Sequence, residues 1–165
     1  MLIAYMLLLV AVGMDFWRMR ISNRLILIGL AVSLVHRVYS DGFGGLVTWT
    51  ILISLPVILL YLLFLVKALG AGDIKLFSLI GGFLHIRELL WCISFAFLYA
   101  AIFSLVKMIY HHTFFSSMKR VMQYLYGYLH GKKVEYQPAS MELGRIHFSL
   151  AVLLGLITTD LYFIS

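Results

Sequence analysis

Asp15 and Asp73 are the residues whose type and placement could do chemistry. Each stands at the edge of a membrane-length apolar segment, in a chain with only seven acidic residues among 165. A carboxylate beside hydrocarbon is costly enough that function is its default explanation. Asp73 closes Gly70-Ala71-Gly72-Asp73 at the opening of an apolar helix, and Asp15 is followed by Arg18, Arg20 and Ile21-Ser22-Asn23. Two carboxylates brought together cannot both ionise easily and share a proton, one acting as base on water, the other as acid toward a scissile carbonyl. Such a pair hydrolyses a peptide with no metal, no cofactor and no covalent intermediate. Asp73, at a helix start where N–H groups favour an anion, is expected to ionise before Asp15, which sits near a helix end.

The elements that must position this pair are apolar helices. The chain is 63% hydrophobic and 12% charged, with a mean hydropathy of +1.01, too little polar surface to cover a soluble globule of this size. Long runs of Leu, Ile, Val and Phe without strict alternation favour helices over a barrel. The reading is all-α: a polytopic membrane bundle of six transmembrane helices in one domain spanning residues 1–165. Apolar runs occur at about 2–17, 25–39, 46–66, 74–84, 89–109 and 146–164. The fourth covers only about half of a ~30 Å hydrocarbon core, so it is tilted, extended through Ala68, or held in a thin region.

Charge placement sets the expected orientation. With both termini outside, eleven of the thirteen Lys and Arg fall on the cytoplasmic side, leaving Arg37 and Arg87 outside; basic residues prefer the cytoplasm. The net charge of +6 is thereby explained by the inner membrane surface, and membrane lipid rather than nucleic acid is the expected partner. Residues 111–145 form a cytoplasmic insertion whose first part, 116–129, mixes apolar and basic positions as an amphipathic helix on the inner leaflet does. Asp15 and Asp73 then lie on the same, cytoplasmic side.

Taken singly, each aspartate has a plainer explanation. Asp73 could be a helix cap, and Asp15 could pair with Arg18 three positions on. Gly70 and Gly72 permit a tight turn or a close approach of substrate; the loop lacks the further glycine and the Lys-Ser or Lys-Thr of a nucleotide site. Lys75 does not share the helical face of Asp73 and reaches toward lipid phosphate, with substrate contact the less favoured role. None of the six histidines falls at the i, i+4 spacing of a helical metal site, so no metal is expected. Gly81-Gly82 reads as a place of close helix packing.

The two aspartate segments together resemble the type IV prepilin peptidases, polytopic aspartyl proteases that trim the leader from prepilins. Gly70-Ala71-Gly72-Asp73-Ile74-Lys75-Leu76 is similar to that family's GxGD motif, and Asp15 through Leu25 to its other motif, an aspartate before basic residues and an Ile-Pro-Asn triplet. A third stretch, Gly144 to Ala151, resembles the opening of the family's last helix, where Ile-Pro-Phe or Ile-Pro-Tyr is usual. Ser22 and His147 stand where the family has prolines. The resemblance implies Asp15 and Asp73 as the catalytic pair, supported by Gly70, Gly72, Lys75 and Asn23. It implies a prepilin or pseudopilin substrate cut at the cytoplasmic face of a bacterial or archaeal membrane. With one cysteine and no paired CxxC insertion, it implies a short, peptidase-only form that does not methylate the new N-terminus. From the residues alone, two other readings stay open: a small proton- or ion-coupled transporter, and a silent pilin-assembly factor.

Overall fold

A computed structural model describes residues 2–18, 21–66, 68–110 and 148–164 of the protein. Among these there are six helices and no strand: α1 (Leu2–Arg18), α2 (Asn23–Asp41), α3 (Phe43–Leu65), α4 (Ala71–Gly81), α5 (Ile86–Tyr110) and α6 (Phe148–Ile164). The chain divides into two compact units, residues 1–99 with 147–165, and residues 100–146. Of the second unit the described part is the helical stretch 100–110. The insertion expected at 111–145, with its amphipathic segment, and His147 lie outside the described residues.

The helix boundaries follow from local chemistry. Ser22 has φ −68° and ψ 131° and caps α2, its hydroxyl accepting from the Arg24 N–H at 3.3 Å. That φ is the value a proline ring would impose, so the serine keeps the backbone of the triplet it departs from and adds a cap. Gly42 alone separates α2 from α3, a tighter turn than the gap at 40–45 between the apolar runs. Its φ of +61° is one that side-chain-bearing residues rarely adopt, and its N–H donates to the Val38 carbonyl at 2.9 Å.

The short fourth segment is the core of the first unit. α4 has 11 residues, roughly 16 Å of helix, and begins at Ala71 without the extension through Ala68. It packs against α1, α2, α3 and α6; Leu76, Phe77, Leu79 and Ile80 are fully buried. Close approach is allowed by the glycine pair at its end: a Cβ on Gly81 would lie 2.6 Å from the Leu52 carbonyl of α3, and one on Gly82 would collide with the Ser33 hydroxyl of α2. Beyond α4, buried Arg37 donates through Nη2 to the Leu84 carbonyl at 2.6 Å and has Asp41 3.7 Å from Nη1.

α3 and α5 are each long and apolar enough to cross a membrane. Only 17% and 22% of their most apolar stretches are buried, so these helices present hydrocarbon outward rather than into a protein core. The remaining apolar helices, 2–17 and 148–163, are shorter. Among the described residues, length and composition thus support two candidate crossings of the six expected.

Candidate active site

Helix periodicity carries Asp15 inward. Ala4, Leu8 and Ala11 are fully buried, and Asp15 continues the same 4-3-4 spacing, which keeps residues on one helix face. The flanking Trp17 is 92% exposed. Half-buried Asp15 therefore ends an otherwise apolar buried stripe, in the last turn of α1. Asp73 is placed likewise in the first turn of α4, at the head of the stripe that continues through the buried Phe77 and Ile80.

At Asp73 the cap and the candidate acid are the same group. Its Oδ2 accepts the Gly70 N–H at 3.2 Å, the backward reach of a helix-opening carboxylate. A Cβ on Gly70 would lie 3.1 Å from that oxygen, so the glycine serves this close approach; its φ of −80° is ordinary. Beside Gly72 there is open space, with nothing within 4 Å of where a Cβ would be.

Asp73 precedes the apolar run 74–84 and lies outside both candidate crossings. Burial pushes its carboxyl from an ordinary value of 3.8 up to about 6, the Gly70 hydrogen bond pulls it down by less, and the like charge of Asp15 raises it further. The helix start acts in the expected direction, but desolvation outweighs it: Asp73 holds its proton more firmly than its position in sequence suggested. The repulsion also shows that the two aspartates, 58 positions apart, come within electrostatic reach.

The supporting residues pair with one another. Lys75 Nζ donates to Asn23 Oδ1 at 2.9 Å, both side chains exposed. Lys75 was expected to reach lipid phosphate; here at least one of its donors ties the first turn of α4 to the start of α2. Asp15 and Asp73 thus share a neighbourhood built from the end of α1 and the beginnings of α2 and α4.

Ser149 is the residue that sequence reasoning missed. Fully buried in the first turn of α6, it donates its hydroxyl to Asp15 Oδ2 at 2.6 Å. The available signal was a lone hydroxyl among Phe148, Leu150 and Ala151. Asp160 was also passed over, although it interrupts the last apolar run; it accepts the Tyr5 hydroxyl at 2.6 Å.

The family model for the type IV leader peptidase family matches residues 2–105, well over half of the chain. The matched part contains Asp15, Asn23, Gly70, Gly72, Asp73 and Lys75; the third stretch, 144–151, lies beyond it. No curated protein and no solved structure matches the chain.

Proposed function

The chain belongs to the type IV leader peptidase family, and from that membership we propose an aspartyl endopeptidase that removes leaders from prepilins or pseudopilins. A peptidase acting on a protein substrate follows from the family itself. The finer reading, that Asp15 and Asp73 are its catalytic pair, is carried by one observation. Asp73, half-buried at the start of α4 and raised by burial to about 6, is raised further by the charge of Asp15, half-buried at the end of α1.

In the proposed reaction Asp73 is the acid and Asp15 the base. Asp15 takes a proton from water as the hydroxide adds to the scissile carbonyl carbon, and Asp73 gives its proton to the carbonyl oxygen. Collapse of the resulting diol returns that proton to Asp73 and passes the other to the departing amine, so the pair ends with the one proton it began with. Gly72 leaves room for a substrate backbone beside Asp73, and the Lys75–Asn23 bond ties the Asp73 helix to the start of α2. The proposal keeps the expected six crossings with both termini outside, which would put the pair at the cytoplasmic face; α3 and α5 support the membrane assignment. N-methyltransferase activity is not part of the proposal.

The test is cleavage of prepilins in liposomes by the native chain and by folded Asp15→Asn and Asp73→Asn. The native chain releases a leader-sized fragment, and each variant loses at least ~10³-fold in rate. A native chain inert toward a panel of prepilins and pseudopilins, or either variant cutting at the native rate, overturns the reading.

A further inference from the structure

We propose that Ser149 is a positioning residue of the peptidase, fixing through its hydroxyl the orientation in which the Asp15 carboxylate meets water and substrate. The inference rests on the proposed function and adds to it a residue outside the family-matched segment.

Thr158, Thr159 and Ser94, inside their helices, bond back to carbonyls four residues earlier. Ser149, in the first turn of α6, has no carbonyl of its own helix four residues earlier, and its hydroxyl crosses to another helix to bond a residue 134 positions away. At 2.6 Å the bond is short. With Ser149 fully buried, water cannot substitute for Asp15 without reorganising the helix contact.

The donor is itself held in place. Phe148, its neighbour, packs edge-on against Phe77 of α4 with ring centres 5.9 Å apart, and against Phe97 of α5 at 5.7 Å. Phe77 belongs to the stripe headed by Asp73. One aromatic cluster therefore anchors the first turn of α6 to the Asp73 helix, while the next residue reaches Asp15. The two carboxylates are linked through this chain of contacts, α4 to Phe148 to Ser149 to α1. A hydrogen bond to Oδ2 restricts rotation of the Asp15 carboxylate, and a proton acceptor a fraction of an ångström or a few tens of degrees out of place loses rate without losing substrate affinity.

Two measurements test this. A double-mutant cycle in thermal stability with Ser149→Ala, Asp15→Ala and the double variant reads whether hydroxyl and carboxylate interact, with no need of activity. Prepilin cleavage in liposomes by Ser149→Ala and Ser149→Thr then reads the role. Coupled stabilities, a kcat about 10-fold to 100-fold lower in Ser149→Ala with KM within about twofold, and recovery to within about threefold of native in Ser149→Thr support the proposal. Additive stabilities, or a native kcat in folded Ser149→Ala, overturn it while cleavage by the native chain and its loss in Asp15→Asn leave the peptidase reading standing. Coupled stabilities with a native chain that cuts no prepilin overturn both, and leave the bond a fastening between helices.

Discussion

α1 and α6 run antiparallel and are joined near both ends by a similar bond: Tyr5 to Asp160 at one, Ser149 to Asp15 at the other, each hydroxyl 2.6 Å from a carboxylate oxygen. The bonds are alike in length, although one donor is a phenol and the other an alcohol, and their surroundings differ. Asp160 has the Tyr5 phenol and the buried Cys92 thiol as electrostatic neighbours, whereas Asp15 acts on a second carboxylate, Asp73. A carboxylate in an apolar helix is a reason to look for function, but it does not say which kind. At the Asp160 end the acid accepts a phenol and fastens two helices; at the Asp15 end a similar fastening holds the acid that, in the proposed reaction, shares a proton with Asp73.

The comparison breaks most sharply on activity. Asp160→Asn keeps an acceptor for Tyr5 and is expected to cut prepilin within about threefold of the native rate, against the ~10³-fold loss expected of Asp15→Asn. Its cost falls on folding, because a hydroxyl bonded to a charged acceptor contributes about 1.5–3 kcal/mol and a neutral one less. Thermal unfolding in detergent beside the cleavage assay reads both. Loss of cleavage in an Asp160→Asn protein that unfolds at the native temperature would make the two ends equivalent and sink the distinction.

The second contrast is in pH dependence, at Asp73. Its carboxyl is raised from 3.8 to about 6 in the folded protein, so the folded state binds the proton more tightly than the unfolded chain. The contribution of Asp73 to stability is therefore most favourable below about 4, declines between 4 and 6 as the unfolded chain releases its proton first, and stays low above 6, by an amount on the order of 2–3 kcal/mol. Asp73→Asn removes that burden at neutral pH and changes nothing in acid. Its unfolding temperature should exceed the native one by roughly 5 °C at pH 8 and match it at pH 4. With Asp73 as the acid of the proposed reaction, kcat/KM is expected to fall as pH rises through 6, where Asp73 loses its proton. Native and Asp73→Asn proteins with parallel stability curves from pH 4 to pH 8 would remove burial as the cause.

How far this was legible differs by residue. Apolar runs gave the helices to within a few positions, since Leu, Ile and Val stretches bounded by Gly42, Gly70 and charged turns leave little choice of secondary structure. Asp15 and Asp73 stood out as candidates from their place at the edges of such runs, and the burial of Asp15 was readable in Ala4, Leu8 and Ala11, which set its helix face. The central position of α4 was not legible, because a short apolar helix reads alike as a thin crossing or a buried core. Nor were the pairs Ser149 with Asp15 and Lys75 with Asn23: their partners lie 134 and 52 positions away, and no local rule spans such separations. Asp73 shows a third kind of gap. Its helix-start position pointed to a readily ionised acid, whereas burial, a property of the packed bundle, decides the direction.

The smallest expected effect belongs to neither end of the α1–α6 contact but to the loop that follows Asp15. Ser22 stands where proline is usual in the resembling motif, and its φ of −68° is already that of a proline ring. Ser22→Pro therefore needs no backbone adjustment at that residue, and gains about 0.4–1 kcal/mol by restricting the unfolded chain. It forfeits the hydroxyl cap on Arg24, at 3.3 Å a long bond, and the two changes nearly cancel. Ser22→Ala forfeits the cap and gains nothing, so it should unfold below Ser22→Pro by roughly 2–4 °C, with cleavage by both within about twofold of native. If backbone geometry rather than the hydroxyl is what this position supplies to Asp15, the proline variant is the better enzyme scaffold of the two. A Ser22→Pro protein less stable than Ser22→Ala would mean that the N–H of residue 22, not its φ, holds the turn.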